Sequence, residues 1–470
     1  MHFFMAALAV AWELNRFHDT DQGRPSMILP NQAQSLLFAL ASAFTAPTFQ
    51  RFTSVMAAAI LTTGRRTVAN LLRTLGTLAP GHRTSYQRLL SQAQWSGLHL
   101  ACLLTRFLLQ QLLPQGIVRL VGDDTVDGHT GKKVHGKGRH RDPVRSTHTY
   151  TAWRYGHKWV VLAVLVSFPF ASRPWALPVL VDLYYCQQDN YRRHRPHRTP
   201  AQLMCRLLRL MLLKFPQRTF LFIGDSTYGT HEVARFIGRH RDRLSLISKL
   251  HPEANLFEPP PPYTGKGRPR VKGQSLPKPR QAVQDGRRQR LTVGWYGGGS
   301  RRVEIVTGTG CWYKSGHGLV PLRWVFVHDK SGTHRDEYFF GTDPALAPKA
   351  IISHYTARWN IETTFQELRA HLGLETTRGW CEKTVLRAAP CLLGLYTVVA
   401  LLYHSLPPSQ RLGAVCWPGK QGETFSDALA AVRRWLWTEW VFPQAGSTAG
   451  IEKVPAPLRE IIFSALAPAA

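Results

Sequence analysis

The sequence predicts an α/β protein, and three observations carry that prediction. Two short apolar runs, Ile117–Gly122 and Thr219–Gly224, each close on a glycine and then an acid: Asp123 with Asp124 in the first case, Asp225 in the second. Longer apolar runs, Lys158–Phe168 and Trp175–Tyr185, alternate along the chain with stretches of helical spacing at 200–214 and 230–237. A charged helix is predicted over Tyr355–Arg369. Acids at the C-terminal tips of strands matter because open α/β sheets gather their ligands there.

Taken in order, residues 31 to about 113 read as helical, with helices starting at Thr45, Arg65, Ser85 and Leu98, rich in Leu and Gln. They predict an N-terminal helical domain over 1–113. From Ile117 the pattern becomes three meandering strands, a helix, the Asp225 strand, a second helix and the strand Leu244–Lys249. That is the order of an RNase H-like (retroviral-integrase-like) core, whose first part spans 114–250. Pro259–Pro279 is rich in Pro, Gly, Lys and Arg and reads as a loop; strand-like segments follow at 290–295, 302–307 and 322–328. The core resumes over 346–406. Its longest apolar run, Ala388–Tyr403, contains Pro390 and is shorter than a usual bilayer span, so a buried helix behind the catalytic layer is expected. A helical tail over 407–470 ends the chain.

On the helix 355–369, at roughly 100° per residue, Tyr355, Arg358, Glu362 and Arg369 fall within about 60° of one another. Two guanidinium groups flanking one carboxylate suit a site that holds phosphate near a metal. Glu367 falls off that face and reads as a solvated neighbour. Each strand-end Asp has an alternative as a turn or capping residue, and Asp225 could cap the helix after Thr230. Two such turns followed by the Glu362 helix favour a joint site.

With the two aspartates, this spacing resembles the DDE transposases of bacterial insertion sequences, in the group with a Tyr-(2)-Arg-(3)-Glu-(6)-Lys signature. Tyr355, Arg358 and Glu362 match, and Arg369 stands where the family usually has Lys; Arg keeps the charge and changes the donor geometry. The resemblance covers about Ile117 to Trp380. It implies Asp123 (with Asp124 as the fallback), Asp225 and Glu362 as catalytic metal ligands for two Mg²⁺ ions, Mn²⁺ being able to substitute. Adjacent strand residues face opposite sides, so one of Asp123 and Asp124 should enter the site and the other leave it. The resemblance further implies cut-and-paste strand cleavage and transfer on double-stranded DNA, at terminal inverted repeats and target, by a homodimer in the synaptic complex. Tyr355, Arg358 and Arg369 would position phosphates. A β-rich insertion is implied over 251–345, where Trp295, Trp312 or Trp324 could stack on a flipped base, although a core role weighs more for each.

Composition agrees with a polyanionic partner. The chain carries 59 Lys+Arg against 29 Asp+Glu, a formal charge of +30. Basic residues cluster at Lys132, Lys133, Lys137, Arg139, Arg141 and Arg145, at Arg192–Arg198, and from Lys266 to Arg290. The first cluster is assigned to DNA, with Lys132, Lys133, Lys137 and Arg139 as its contacts. Arg65, Arg66, Arg73, His82 and Arg83 leave open whether the helical domain grips DNA or only packs. A length of 470 residues with 44% hydrophobic content exceeds what a small ribosomal protein needs. Seven scattered cysteines without Cys-x-x-Cys spacing predict reduced thiols and no zinc site, and His135, His140 and His148 are read as non-ligands. Met1–Glu13 lacks a basic leader, so no targeting segment and no membrane partner are expected, and the location predicted is the bacterial cytoplasm, with the nucleoid. Two other readings remain: a catalytically inactive DNA-binding relic occupying element ends, and an RNase H-like host nuclease.

Overall fold

The computed structural model describes residues 29–142, 145–265, 267–444, 451 and 453–468. Met1–Glu13 and Lys266, both weighed above, lie outside them. Among the described residues five α-helices come first: α1 (Asn31–Ala41), α2 (Ala46–Leu61), α3 (Val68–Leu75), α4 (Arg83–Ser91) and α5 (Gly97–Leu112). The expected helical grouping is there. Of its arginines weighed above for DNA, Arg65, Arg73 and Arg83 are exposed, whereas Arg66 turns inward. Arg66 is buried and bonds the carbonyls of Ala59, Gly64 and His371, so it is unavailable to DNA.

The centre is one mixed sheet. Its first part holds β1 (Val118–Gly128), β2 (Gly138–Arg141), β3 (Trp153–Val166), β4 (Trp175–Tyr184), β5 (Phe220–Gly224) and β6 (Leu244–Lys249). The strands lie in the order β4-β3-β1-β5-β6, with β3 antiparallel to β1 and with β1, β5 and β6 mutually parallel. β3, paired with β1 and β4, is buried without a break from Trp159 to Val166. Helices α6 (Gln187–Arg192), α7 (Pro200–Lys214) and α8 (His231–Gly238) link β4 to β5 and β5 to β6. Thr199 and Gln202 form a capping box on α7, and Thr230, not Asp225, caps α8.

The stretch 251–345 builds β7 (Leu256–Phe257), α9 (Pro279–Asp285), β8 (Gln289–Gly294), β9 (Ser300–Lys314), β10 (Gly318–His328) and β11 (Glu337–Gly341). These strands extend the same sheet, because β11 pairs with β6. Then follow α10 (Pro348–Ala357), α11 (Asn360–His371), α12 (Glu382–Ser405), α13 (Phe425–Leu436) and α14 (Ala456–Leu466).

Among the described residues one helix, α12, is long and apolar enough to cross a membrane, and 78% of its most apolar window is buried inside the protein. It packs on β4 and α13. Its Arg387 is buried and donates to the carbonyls of Leu89, Leu90, Ala93 and Trp95, closing the C-terminal end of α4. Arg387→Met would strip those carbonyls of this donor, Leu89 keeping only Trp95 Nε1, and a loss of about 3 kcal/mol is expected. An unshifted urea midpoint would refute it.

Candidate active site

The site begins where two parallel strands part company. β5 ends at Gly224, while β1 runs five residues past Asp123 because antiparallel β3 stays beside it. Asp123 therefore lies within a strand, not at its tip as expected, at the point where its parallel neighbour has ended. The register Gly122↔Gly224 sets Asp123 and Asp225 side by side. Gly122 is required there: a Cβ would stand 2.6 Å from the Phe222 ring. Asp225 accepts from Thr227 N at 3.0 Å, and Ser248 Oγ donates to the carbonyls of Gly224 and Asp225 at 2.9 and 2.7 Å, which holds the turn.

Residues 355–369 form two helices rather than one. Through Arg358, Trp359, Ile361 and Glu362 the backbone bonds run to the third residue back, so the chain winds more tightly between α10 and α11. That changes the phase. Tyr355 turns inward, 2% exposed, and stacks on Phe339 with ring centroids 4.3 Å apart. Placing it on the DNA-facing surface is thereby corrected.

Arg358 is buried and bridges two acids, with Nη1 on Asp123 Oδ2 and Nη2 on Glu362 Oε1, both at 2.9 Å. Burial works against its charge, yet Asp123, Tyr355, Glu362 and Asp225 together hold its pKa above the usual range. One guanidinium thus feels all three acids singled out in the sequence. Its expected role on phosphate gives way to a positioning role, because both terminal amino groups are already taken. Asp124 turns elsewhere, to Lys158 Nζ at 3.0 Å. Arg369 bonds Glu375 Oε1 at 2.9 Å and Thr125 Oγ1, so it too is engaged within the protein. Glu367, read as solvated, is largely buried and bonded to Tyr396 Oη at 2.6 Å and Arg173 at 3.1 Å.

Burial pushes the Asp123 carboxyl up to about 7; Arg358 opposes this, while Asp225 and Asp124 add to it. An unfolded Asp titrates near 3.8. From about pH 4 to 7 the unfolded chain therefore sheds a proton that the native state keeps, and stability falls as pH rises through that window. In metal-free buffer the Tm should fall between pH 5 and pH 8, and Asp123→Asn should flatten that fall. Circular dichroism melts across the range test it, and a slope unchanged by the substitution would count against it.

The predicted DNA contacts sit on the β1–β2 connection and, for Arg139, within β2. Lys132, Lys133 and Arg139 are exposed, and Lys137 is half-buried. Arg139 lies over exposed Trp153 at 4.3 Å and Lys137 over exposed Tyr155 at 5.9 Å, giving a cationic face with aromatic platforms. Sequence reasoning missed Trp359, 46% exposed between the two helices and edge-on to Tyr296. Its place between Arg358 and Glu362 was the available signal. Of the tryptophans named from the sequence, Trp324 is in the core, and Trp295 and Trp312 are half-buried.

Residues 39–302, more than half of the chain, match the sequence family described as DDE superfamily endonuclease. The matched span contains Asp123 and Asp225 and stops before Glu362. No curated protein matches the chain. Among solved structures, a piggyBac transposase synaptic complex with hairpin DNA is similar at 10% identity, covering 92% of this chain and 81% of that one with a TM-score of 0.40.

Proposed function

The chain belongs to the DDE superfamily endonucleases, and from that premise we propose that it is a transposase cutting and joining DNA at the ends of its own insertion sequence. The observation that carries this reading is the single guanidinium, Arg358, bonded to Asp123 and Glu362 beside Asp225. The strand order β4-β3-β1-β5-β6 supports an RNase H-like core, and the described parts of 1–113, 251–345 and 407–470 would be its helical, inserted β-rich and tail regions. Tyr355, Arg358 and Glu362, with Arg369 in the last place, support the Tyr-Arg-Glu-Lys group.

Three carboxylates crowded around one cation, one of them with a raised pKa, fit a divalent metal site, and their all-oxygen donor set suits Mg²⁺. Asp123, Asp225 and Glu362 would hold two such ions, or Mn²⁺, which supply an activated water or 3′-hydroxyl and stabilise the departing oxygen. Arg358 keeps the Asp123 and Glu362 carboxylates aimed at each other. Lys132, Lys133, Lys137 and Arg139 bind backbone phosphates of double-stranded DNA, terminal repeats and target alike. Exposed Trp359 offers a ring beside Glu362 on which an unpaired base stacks. A homodimer brings two element ends together, without any membrane, in the bacterial cytoplasm. With all three acids in one place, a binding-only relic is disfavoured.

The test is incubation with Mg²⁺ and two linear duplexes, one carrying the inverted repeats that flank the reading frame and one unrelated. Cleavage confined to the repeat-bearing DNA is expected. Degradation of both would make the protein a general nuclease.

A further inference from the structure

We propose a second metal site, for a zinc-class transition ion, formed by Asp127, His129 and His157 where β1 gives way to the basic β1–β2 connection. Their donor atoms all lie within 4.8 Å of one another. Asp127 and Asp123 lie four residues apart on the same face of β1, about 13 Å at the usual strand rise, so this is not the carboxylate site.

The protonation of His157 singles it out. The ring is 1% exposed, and its Nε2 lies 2.8 Å from the His135 carbonyl, which can only accept, so Nε2 carries the hydrogen. Its Nδ1 is buried and makes no hydrogen bond among the described residues, although it stands 3.3 Å from Asp127 Oδ1. An unprotonated nitrogen this close to a carboxylate is repelled by it. A ring protonated at both nitrogens would be a buried cation. A metal between them removes both problems, and a ligating imidazole commonly donates its other N–H to a backbone carbonyl in this way.

The remaining groups fit the same reading. His129 Nε2 lies 3.4 Å from Asp127 Oδ2, and the two imidazole rings meet at 4.5 Å between centroids. The carboxylate is fixed from behind by the backbone N–H of His157 at 3.0 Å and by Trp159 Nε1 at 3.1 Å. Gly156 permits that approach, because a Cβ there would stand 1.7 Å from the Asp127 carbonyl oxygen. Two imidazole nitrogens with one carboxylate oxygen select zinc-class ions over Mg²⁺, and water completes a tetrahedral shell. No paired-cysteine spacing accompanies these ligands, so the expectation of no zinc site, drawn from the cysteines, does not extend to them.

The consequence is mechanical. His129 opens the connection carrying Lys132 and Lys133, and His157 holds His135 on its far side, so the ion would pin the base of the DNA-facing segment to the sheet.

Tag-free protein dialysed against ZnSO₄ and then metal-free buffer should retain one zinc per chain by elemental analysis. Retention should persist in Asp225→Asn/Glu362→Gln, which lacks two acids of the carboxylate site. His157→Gln, and independently His129→Asn at the half-buried start of the connection, should weaken retention at least about tenfold. Co²⁺ in place of zinc should give the visible bands of a tetrahedral site in the wild type and lose them in His129→Asn. Failure to retain zinc, or retention indifferent to both histidines, overturns the proposal and leaves Asp127 as the centre of a histidine ion-pair network. Neither outcome bears on strand cleavage.

Discussion

Glu362→Gln is expected to abolish strand cleavage while leaving the binding of element ends intact. Gln keeps the size of the side chain and can still accept from Arg358 Nη2, now 2.9 Å from Oε1, so α11 should hold its place. What disappears is the negative charge. Several kcal/mol of transition-state stabilisation are asked of the metals, and each 1.36 kcal/mol is a decade, so a loss on the order of 10³-fold or more is expected. On the proposed reading binding would rest on the basic connection around Lys132 and Lys133, far along the chain, and should change less than about threefold. Asp225→Asn should match it, since that side chain stands at the end of β5 and is held by Thr227. Single-turnover cleavage in Mg²⁺, beside a gel-shift titration, separates the two quantities. Wild-type cleavage by either variant would remove these residues from the reaction.

Much of this site could be read from the chain, and the parts that could not have identifiable causes. The strand-closing grammar of apolar run, glycine and acid located the turn at Asp225, because local sequence sets where a buried strand such as β5 ends. How far β1 continues is decided by β3, a partner thirty-odd residues away, so the mid-strand position of Asp123 was hidden. The helical wheel over 355–369 assumed uniform winding. The tightened turn at Arg358 broke that assumption and sent Tyr355 into the core, while Glu367 found Arg173 and Tyr396, neither of which is near it in sequence. Charge counting was the weakest guide. It treats all arginines alike, whereas Arg66, Arg387 and Arg433 are buried and spent on backbone carbonyls, a use that only tertiary structure reveals.

Arg358→Met should be the most destabilising substitution in the site. The buried guanidinium is the partner of both Asp123 and Glu362, and removing one member of a buried ion pair typically costs about 3–5 kcal/mol because the remaining charge is stranded. Asp123 can escape that cost by staying protonated. With its pKa already near 7 while Arg358 opposes the rise, loss of Arg358 moves it higher, and the fall of Tm with pH should extend further into the alkaline range. Arg358→Lys keeps one positive charge but cannot bridge two carboxylates with separate amino groups, so an intermediate Tm is expected. The decisive contrast is with Mg²⁺. If the acids bind the metal, added Mg²⁺ replaces the missing cation and should raise the Tm of Arg358→Met more than that of the wild type, where the arginine competes for the same oxygens. Equal shifts in the two proteins would mean that the guanidinium and the metal do not share ligands, and Arg358 would then be a structural arginine like Arg387.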